Sequence, residues 1–197
     1  GIDVFDLPEG KASSRGRPIV NLLPLDEGEK ISFILPIQGF DDEKFVLFAT
    51  NMGTVKRSRL SEFAGAVRLQ QGVRAMSFDE GEHLIGVSLT SGEDDVFLFN
   101  TDGFCVRFKE TDARVMGRAA HGVRGIRLAE GQSVIALATC ADSDKFVLTA
   151  TSKGFGKLTA ISDFPINRRG SKGRIAIRTS EENGSLVAAL IVTPEDD

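Results

Sequence analysis

Three series of glycines run through this chain in one order, at spacings of about fifty residues. Gly53, Gly103 and Gly154 follow Asn51-Met52, Thr101-Asp102 and Ser152-Lys153, at intervals of 50 and 51 residues. Gly72, Gly122 and Gly173 precede short alternating runs at the same intervals, and Gly16, ahead of Arg17-Pro18-Ile19-Val20, is a fourth member of that series. The third series lies in Asp26-Glu27-Gly28, Asp79-Glu80-Gly81, Ala129-Glu130-Gly131 and Glu182-Asn183-Gly184. A fixed period of this length means one supersecondary unit copied along the chain, each copy stacked on the next to bury a core that it could not bury alone.

Each unit reads as four short strands. In the second unit they are expected at about 73–78, 83–90, 95–100 and 104–108, where β-branched and aromatic residues alternate with polar ones between glycine turns. Asn100-Thr101-Asp102-Gly103 carries a hairpin signal, because glycine tolerates the positive φ that such turns need. No stretch has convincing helical periodicity. Four strands per unit of roughly 40–50 residues is the pattern of propeller blades. The expected fold is therefore all-β, a propeller-like partial array of four-stranded blades. The units run approximately 1–63, 64–112, 113–164 and 165–197, the last incomplete. Val4-Phe5-Asp6-Leu7 reads as the tail of a preceding unit, so the chain is expected to be a piece of a longer array.

Composition narrows the function. Hydrophobic residues make up 41% of the 197, enough for a sizeable core. No apolar run approaches the roughly 18 residues of a membrane span, and Gly1-Ile2-Asp3 opens no secretion signal, so a cytoplasmic location is expected. Cys105 and Cys140 are expected as buried, reduced thiols. With His83 and His121 far apart in sequence, no metal site is expected. Tyrosine is absent, which excludes a phenolic nucleophile in this chain. No Gly-x-x-x-x-Gly-Lys-Ser/Thr loop is present, so no nucleotide or other cofactor is expected.

The net charge of −4 taken alone argues against a polyanion partner, but the charges are sorted by place in the repeat. Segments 11–25, 64–78, 113–128 and 165–179 hold 14 Lys or Arg and no Asp or Glu, while the rest of the chain holds 10 basic and 28 acidic residues. Because the segments recur at equivalent places, they should line one rim of a spiral or closed array as a basic band on an acidic body. The candidate DNA-binding residues are Arg15, Arg17, Arg68, Arg74, Arg114, Arg118, Arg124, Arg127, Arg168, Arg169, Lys172, Arg174 and Arg178. The richest stretch is 167–174, where glycines let backbone approach phosphate and arginines can fork onto phosphate oxygens. A weaker series after the hairpin glycines comprises Lys56, Arg57, Arg107 and Lys157. Ordinary charges on outer strand faces explain that series equally well.

Particular runs carry a family resemblance. They are Arg15-Gly16-Arg17-Pro18-Ile19-Val20-Asn21-Leu22-Leu23-Pro24-Leu25, Leu89-Thr90-Ser91-Gly92-Glu93-Asp94, Val106-Arg107-Phe108-Lys109-Glu110 and Gly122-Val123-Arg124-Gly125-Ile126-Arg127-Leu128. In this order they resemble the C-terminal domain of the bacterial DNA gyrase A subunit, over nearly the whole chain. The topoisomerase IV relative shares the architecture with fewer, more degenerate repeats. The resemblance implies a β-pinwheel, in which strands are exchanged between neighbouring blades. It also implies a basic outer edge that bends duplex DNA so that the parent enzyme can introduce negative supercoils. The family's box, Gln-Arg-Arg-Gly-Gly-Lys-Gly, is matched at five of seven positions by Asn167-Arg168-Arg169-Gly170-Ser171-Lys172-Gly173, in a later blade than expected. The implied partners are duplex DNA, the gyrase B subunit, and the rest of the gyrase A subunit, with no membrane. Cleavage, ATP and magnesium belong to other parts of such an enzyme, so this fragment is expected to be non-catalytic.

Two other functions compete. A protein-interaction propeller would present a mixed or aromatic face and would not keep its basic segments free of acid. A propeller hydrolase would need paired carboxylates. Asp41-Asp42 and Asp94-Asp95 are candidates, but both fall in expected hairpins where Asp serves turn chemistry.

Overall fold

The computed structural model describes residues 1–67 and 72–196. Eleven strands are described: β1 Phe45–Thr50, β2 Thr54–Arg59, β3 Leu84–Thr90, β4 Asp95–Asn100, β5 Phe104–Lys109, β6 Val123–Arg124, β7 Val134–Cys140, β8 Phe146–Thr151, β9 Gly156–Ala160, β10 Arg174–Ile175 and β11 Leu186–Val192. The helical pieces are short 3-10 turns, and no helix among the described residues is long and apolar enough to cross a membrane.

The strands form three antiparallel sheets, ordered β3-β1-β2-β6, β10-β5-β4-β7 and β11-β8-β9. Each is built on one glycine hairpin: β1–β2 turns at Gly53, β4–β5 at Gly103 and β8–β9 at Gly154, all three glycines at φ near +80°. The other strands come from later repeats. β3, from the unit 64–112, pairs with β1, and β6, from the unit 113–164, pairs with β2. β7 and β10 complete the second sheet in the same way.

The expected strands at 95–100 and 104–108 are present, the latter one residue longer, and 83–90 becomes Leu84–Thr90. The expected first strand at 73–78 is not formed, and its counterparts β6 and β10 are only two residues long. This element lies along the outer edge of the preceding sheet. Only Val123 and Arg124 keep register with β2 there, after which Gly125 and Ile126 turn both amides onto the Gly53 carbonyl. For residues 73–78 there is no earlier hairpin in the described chain to pair with. A blade is thus not one unit of the sequence, as the linear reading had it, but one hairpin completed by strands from the two units that follow.

The sheets stack face to face. Alternate residues of a strand point to opposite faces, so Leu47, Ala49 and Val55 of the first sheet meet Val96, Leu98, Val106 and Phe108 of the second. Phe97, Phe99 and Cys105 leave the other face of the second sheet to pack on Val147, Ile161, Phe164 and Leu186. The Phe97 and Phe164 rings meet edge to face at 6.1 Å. Because β4 is covered on both sides, Val96-Phe97-Leu98-Phe99 is a continuous apolar run, every residue fully buried, rather than an alternating one. β3, β7 and β11 pack against one another from sheet to sheet, which places them inside the array and β6 and β10 at its outer edge. Cys105 and Cys140 are buried free thiols, and burial pushes the Cys105 thiol well above its ordinary range, with Arg107 opposing.

Two buried arginines at one place in the repeat tie successive blades. Arg57 lies over the Phe45 ring at 4.7 Å and reaches Glu110 at 3.4 Å. Arg107 lies over Phe97 at 5.4 Å, bonds Asp95 Oδ2 through Nε at 2.8 Å, and donates at 2.8 Å to the carbonyls of Ile161 and Phe164. Glu110 is fully buried and satisfied: Oε1 accepts from the amides of Gly92 and Asp94, each at 2.8 Å, and Oε2 accepts from Thr90 Oγ1 at 2.7 Å and from Arg57. Glu110→Ala would leave Arg57 buried without its counter-charge and two amides without an acceptor. The expected loss is about 3–5 kcal/mol, read as a fall in urea midpoint with far-UV circular dichroism still all-β before the transition.

Candidate nucleic-acid interface

Two of the basic segments, 113–128 and 165–179, form outer sheet edges. Segment 113–128 enters along β2 of the preceding blade: Val115 bridges Arg57, the Met116 amide donates to the Arg57 carbonyl at 2.8 Å, and Ser58 Oγ donates to the Met116 carbonyl at 2.7 Å. Segment 165–179 repeats this on β5, where Ile166 bridges Arg107 and the Asn167 amide donates to the Arg107 carbonyl at 2.7 Å. Gly122 and Gly173 then let the chain close onto the sheet edge. Gly173 has φ +81°, and a Cβ there would run into the Cys105 carbonyl. At Gly122, with φ +125°, a Cβ would lie 2.7 Å from the Val55 carbonyl oxygen.

Successive segments are also stitched to each other. The Gly170 amide donates to the Gly125 carbonyl at 2.7 Å and the Arg127 amide to the Ser171 carbonyl at 2.9 Å. Between segments 64–78 and 113–128, Ser77 Oγ donates to the Ala119 carbonyl at 3.0 Å. Lys56 Nζ reaches up from below to the carbonyls of Ala75, at 2.5 Å, and Arg118. Between these two segments lies an open depression of about 620 Å³ lined by Glu62, Val73, Arg74, Gly117, Arg118, Ala119 and Ala120. The result is adjacent basic edge segments held largely through their backbone carbonyls and amides, with most of their basic side chains exposed.

Most of the candidate side chains are exposed here: Arg15, Arg17, Arg74, Arg114, Arg124, Arg127, Arg168, Lys172, Arg174 and Arg178. Arg15 and Arg17 belong to a segment without strands and outside the stitched rim. Arg68 lies outside the described residues. Arg118 is half-buried, and so is Arg169, whose guanidinium is engaged with the Asp112 carbonyl at 3.1 Å and the Arg124 carbonyl. Arg169 is therefore part of the stitching, and it is not the free surface cation that its place in the box-like run suggested. Lys172 rests its amine 4.7 Å from the Phe104 ring centre.

The weaker series divides. Lys157 is exposed, but Lys56, Arg57 and Arg107 are buried. These three are neither outer-face charges nor open to a ligand. Their alternation with apolar residues looked like a solvated strand face because the covering blade is fifty residues further along the sequence. The carboxylate pairs are likewise committed to structure. Asp94 Oδ2 accepts from the Ser91 amide and hydroxyl, Asp95 holds Arg107 and Lys109, and Asp41 caps the Glu43 amide.

One group that sequence spacing did not reveal lies at this edge. His121 Nε2 is 3.6 Å from Glu82 Oε2 and 3.7 Å from Asp79 Oδ2, and these three offer the one clustered set of metal-type donors among the described residues. Burial pushes the Glu82 carboxyl up, but hydrogen bonds from Thr50, the Asp79 amide and Thr54, with His121 nearby, outweigh it and hold Glu82 below the ordinary carboxylate range. The signal available in sequence was the repeat itself, since His121 stands one residue before Gly122 as Lys172 stands before Gly173.

The sequence profile described as "DNA gyrase C-terminal domain, beta-propeller" matches residues 2–38, 44–91, 94–141 and 145–193. The chain belongs to that family. It is 48% identical over 190 residues, 96% of its length, to the DNA gyrase A subunit of Escherichia coli (strain K12), and 37% identical over 231 residues to that of Pseudomonas aeruginosa. It spans only 21% and 25% of those two proteins. Among solved structures, a crystal structure of the C-terminal domain of DNA topoisomerase IV superposes with TM-score 0.82 at 26% identity, covering 90% of this chain and 55% of that one. A DNA gyrase A C-terminal domain superposes at 0.80 with 22% identity, covering 91% and 59%, which shows the shared fold.

Burial pulls the Lys56 ammonium down to about 8, with Glu62 raising it and Arg118 lowering it further. The unfolded chain, with lysine near 10.4, then holds this proton more tightly than the folded one, so stability rises with pH between those values. Relative to Lys56→Met, the wild-type chain is expected to gain thermal stability from pH 7.5 to pH 10. At pH 7.5 the variant, missing two hydrogen bonds to carbonyls, is expected to exchange the Arg118 and Ala119 amides faster.

Proposed function

We propose that this domain binds duplex DNA along its basic edge, without reading sequence, and bends it from blade to blade. The observation that supports this best is the placement of acid-free segments 113–128 and 165–179 as adjoining outer edges of successive sheets, stitched by their own backbones. Such an edge offers exposed guanidinium and ammonium groups from successive blades, which can neutralise phosphates and release their counterions. Among the described residues it offers no element shaped to enter a groove and read base edges, so contacts would position the duplex without specifying it. The gyrase A identity of the relatives supports a role within a larger bacterial enzyme. There the domain would deliver wrapped DNA for ATP-dependent negative supercoiling, and its partners would be the gyrase B subunit, together with the rest of the gyrase A chain. Cleavage and ATP hydrolysis would lie elsewhere, and this domain would need no cofactor. The 48% identity to a gyrase A subunit over 96% of this chain favours gyrase as the parent enzyme.

Binding to long duplex is expected to weaken with salt. If four to six cations engage phosphates, log K should fall with log salt at a slope of about −4 to −5. A flat response in a fluorescence titration would reject the electrostatic edge. Arg168→Ala/Lys172→Ala/Arg174→Ala, which spares the stitching residue Arg169, is expected to keep the fold, since surface changes usually cost less than about 0.5 kcal/mol each. Its slope should be shallower by about one unit per lost contact. Circularisation of short DNA should suffer more than simple binding, because a 40–90° bend costs about 1–6 kcal/mol that only contacts on successive blades can offset. Equal losses in Arg68→Ala/Arg74→Ala would deny segment 167–174 any special part.

A further inference from the structure

The row of side chains across the middle of each sheet has one fate in the first two sheets and another in the third. In the first, Leu47 of β1 is paired with Arg57 of β2 and Ser88 of β3. In the second, Phe97 of β4 is paired with Arg107 of β5 and Ala138 of β7. Leu47, Arg57, Phe97 and Arg107 are all buried. The corresponding row of the third sheet is Leu148 of β8, Leu158 of β9 and Leu190 of β11, in register. Directly opposed residues share a face, so the three leucines form one apolar strip, and they are exposed by 40%, 55% and 59%. Among the described residues the outer edge of β9 carries no strand, whereas β2 and β5 carry β6 and β10 there.

The complement of this surface is on the same chain. Residues 73–76 follow Gly72 as 123–126 follow Gly122 and 174–177 follow Gly173, yet they form no strand. They are already in position to do so. Met76 lies in one apolar cluster with Val46 and Phe48, as Ile126 does with Val96 and Leu98, and Ile177 with Val147. Beside them an apolar groove of about 530 Å³ is open among Phe33, Leu35, Phe40, Phe48 and Phe63. The chemistry at the 3-10 turns also follows the row that each turn meets. Arg57 of the first row meets Glu110. Arg107 of the second meets the carbonyl of Ile161, with Asp95 of its own sheet as counter-charge. Leu158 has no charge to satisfy, and the residue aligned with Glu110 and Ile161 in the first turn is Leu60.

We infer that the third sheet is a docking surface for a second copy of this chain, whose first sheet stacks on it as each sheet stacks on the one before. Residues 73–76 of the second copy complete the β9 edge. Val73 stands opposite Gly156 and Arg74 opposite Phe155, in the register of Val123 with Val55 and Arg124 with Thr54. The amides of Ala75 and Met76 reach the Gly154 carbonyl, as those of Gly125 and Ile126 reach Gly53. The leucine strip is covered by the Val46–Phe48 face. Residues 31–37 follow Gly28 as β3 follows Gly81 and β7 follows Gly131. Their place on the receiving sheet is held by β11, so they move aside to admit it. The contact is heterologous, and each docked copy still presents its own third sheet, so copies add head to tail.

The test is sedimentation velocity on the whole chain across the micromolar range, without DNA. The weight-average mass is expected to climb with concentration and to pass that of a pair. Leu158→Glu/Leu190→Glu changes two outward positions and should leave the far-UV circular dichroism as it is. It is expected to weaken association about tenfold or more, since two carboxylates would be buried without partners. Chains carrying Arg74→Cys are then mixed with chains carrying Phe155→Cys under mild oxidation, with Cys105 and Cys140 buried and out of reach. The register sets the two positions opposite each other, within disulfide distance. Mixed pairs should therefore form well ahead of same-variant pairs, and ahead of a control mixture of Arg114→Cys with Phe155→Cys. A chain that stays monomeric throughout, or association untouched by the leucine changes, would overturn the inference. So would a preference for same-variant pairs, which would mean a two-fold contact, or cross-linking no better than the control.

Discussion

The constraint on which the rest depends is that no sheet in this array can be completed by its own repeat. A hairpin such as β1–β2 has two open edges, and an open edge is a row of unpaired amides and carbonyls that must find partners. β3 closes one edge and β6 the other, and they come from the two units that follow. The sheets are thereby braided: each unit builds its own blade and finishes the ones before it. Stacking of the faces, with Leu98 and Phe97 turned to opposite neighbours, adds the apolar burial. Arg57 and Arg107 then fix each blade to the 3-10 turn of the next.

This braid explains why charge segregates so sharply by repeat position. Two of the segments free of Asp and Glu, 113–128 and 165–179, cross from one blade to the outer edge of the one before. Their backbones are consumed by the sheet edge and by the neighbouring segment, as the Gly170–Gly125 and Arg127–Ser171 bonds show. Only side chains remain to meet a ligand. An acidic residue would sit on the edge itself, whereas one in a hairpin, such as Asp94, is used to cap a turn. A net charge of −4 and a basic edge are therefore compatible, since the two signs occupy different places in every unit.

Much of this was legible in the sequence, for identifiable reasons. The glycine series reported the hairpins because positive φ at Gly53, Gly103 and Gly154 leaves little choice of residue. Clusters of β-branched and aromatic residues located β4 and β5 almost to the residue. Which unit completes which sheet is not written in local pattern, because pairing partners lie 34 to 71 residues apart and the periodicity is the same whichever blade they join. That ambiguity also misplaced Lys56, Arg57 and Arg107, whose covering comes from other blades. Arg169 was misjudged because composition cannot distinguish an arginine that bonds a neighbouring carbonyl from one that faces water. The His121 cluster was invisible for the same reason: its members are 39 and 42 residues apart in the chain.

The brevity of the outermost strands has a mechanical meaning. β6 is fastened to β2 by only two register pairs, Thr54 with Arg124 and Val55 with Val123, and β10 to β5 by two more. The interior pairings, by contrast, run five or six residues. A pulling load applied through the basic edge acts on the weakest seam of each sheet. Because the Gly170–Gly125 and Arg127–Ser171 bonds join successive edge segments, such a load would be shared along the rim before it reached the hydrophobic stack.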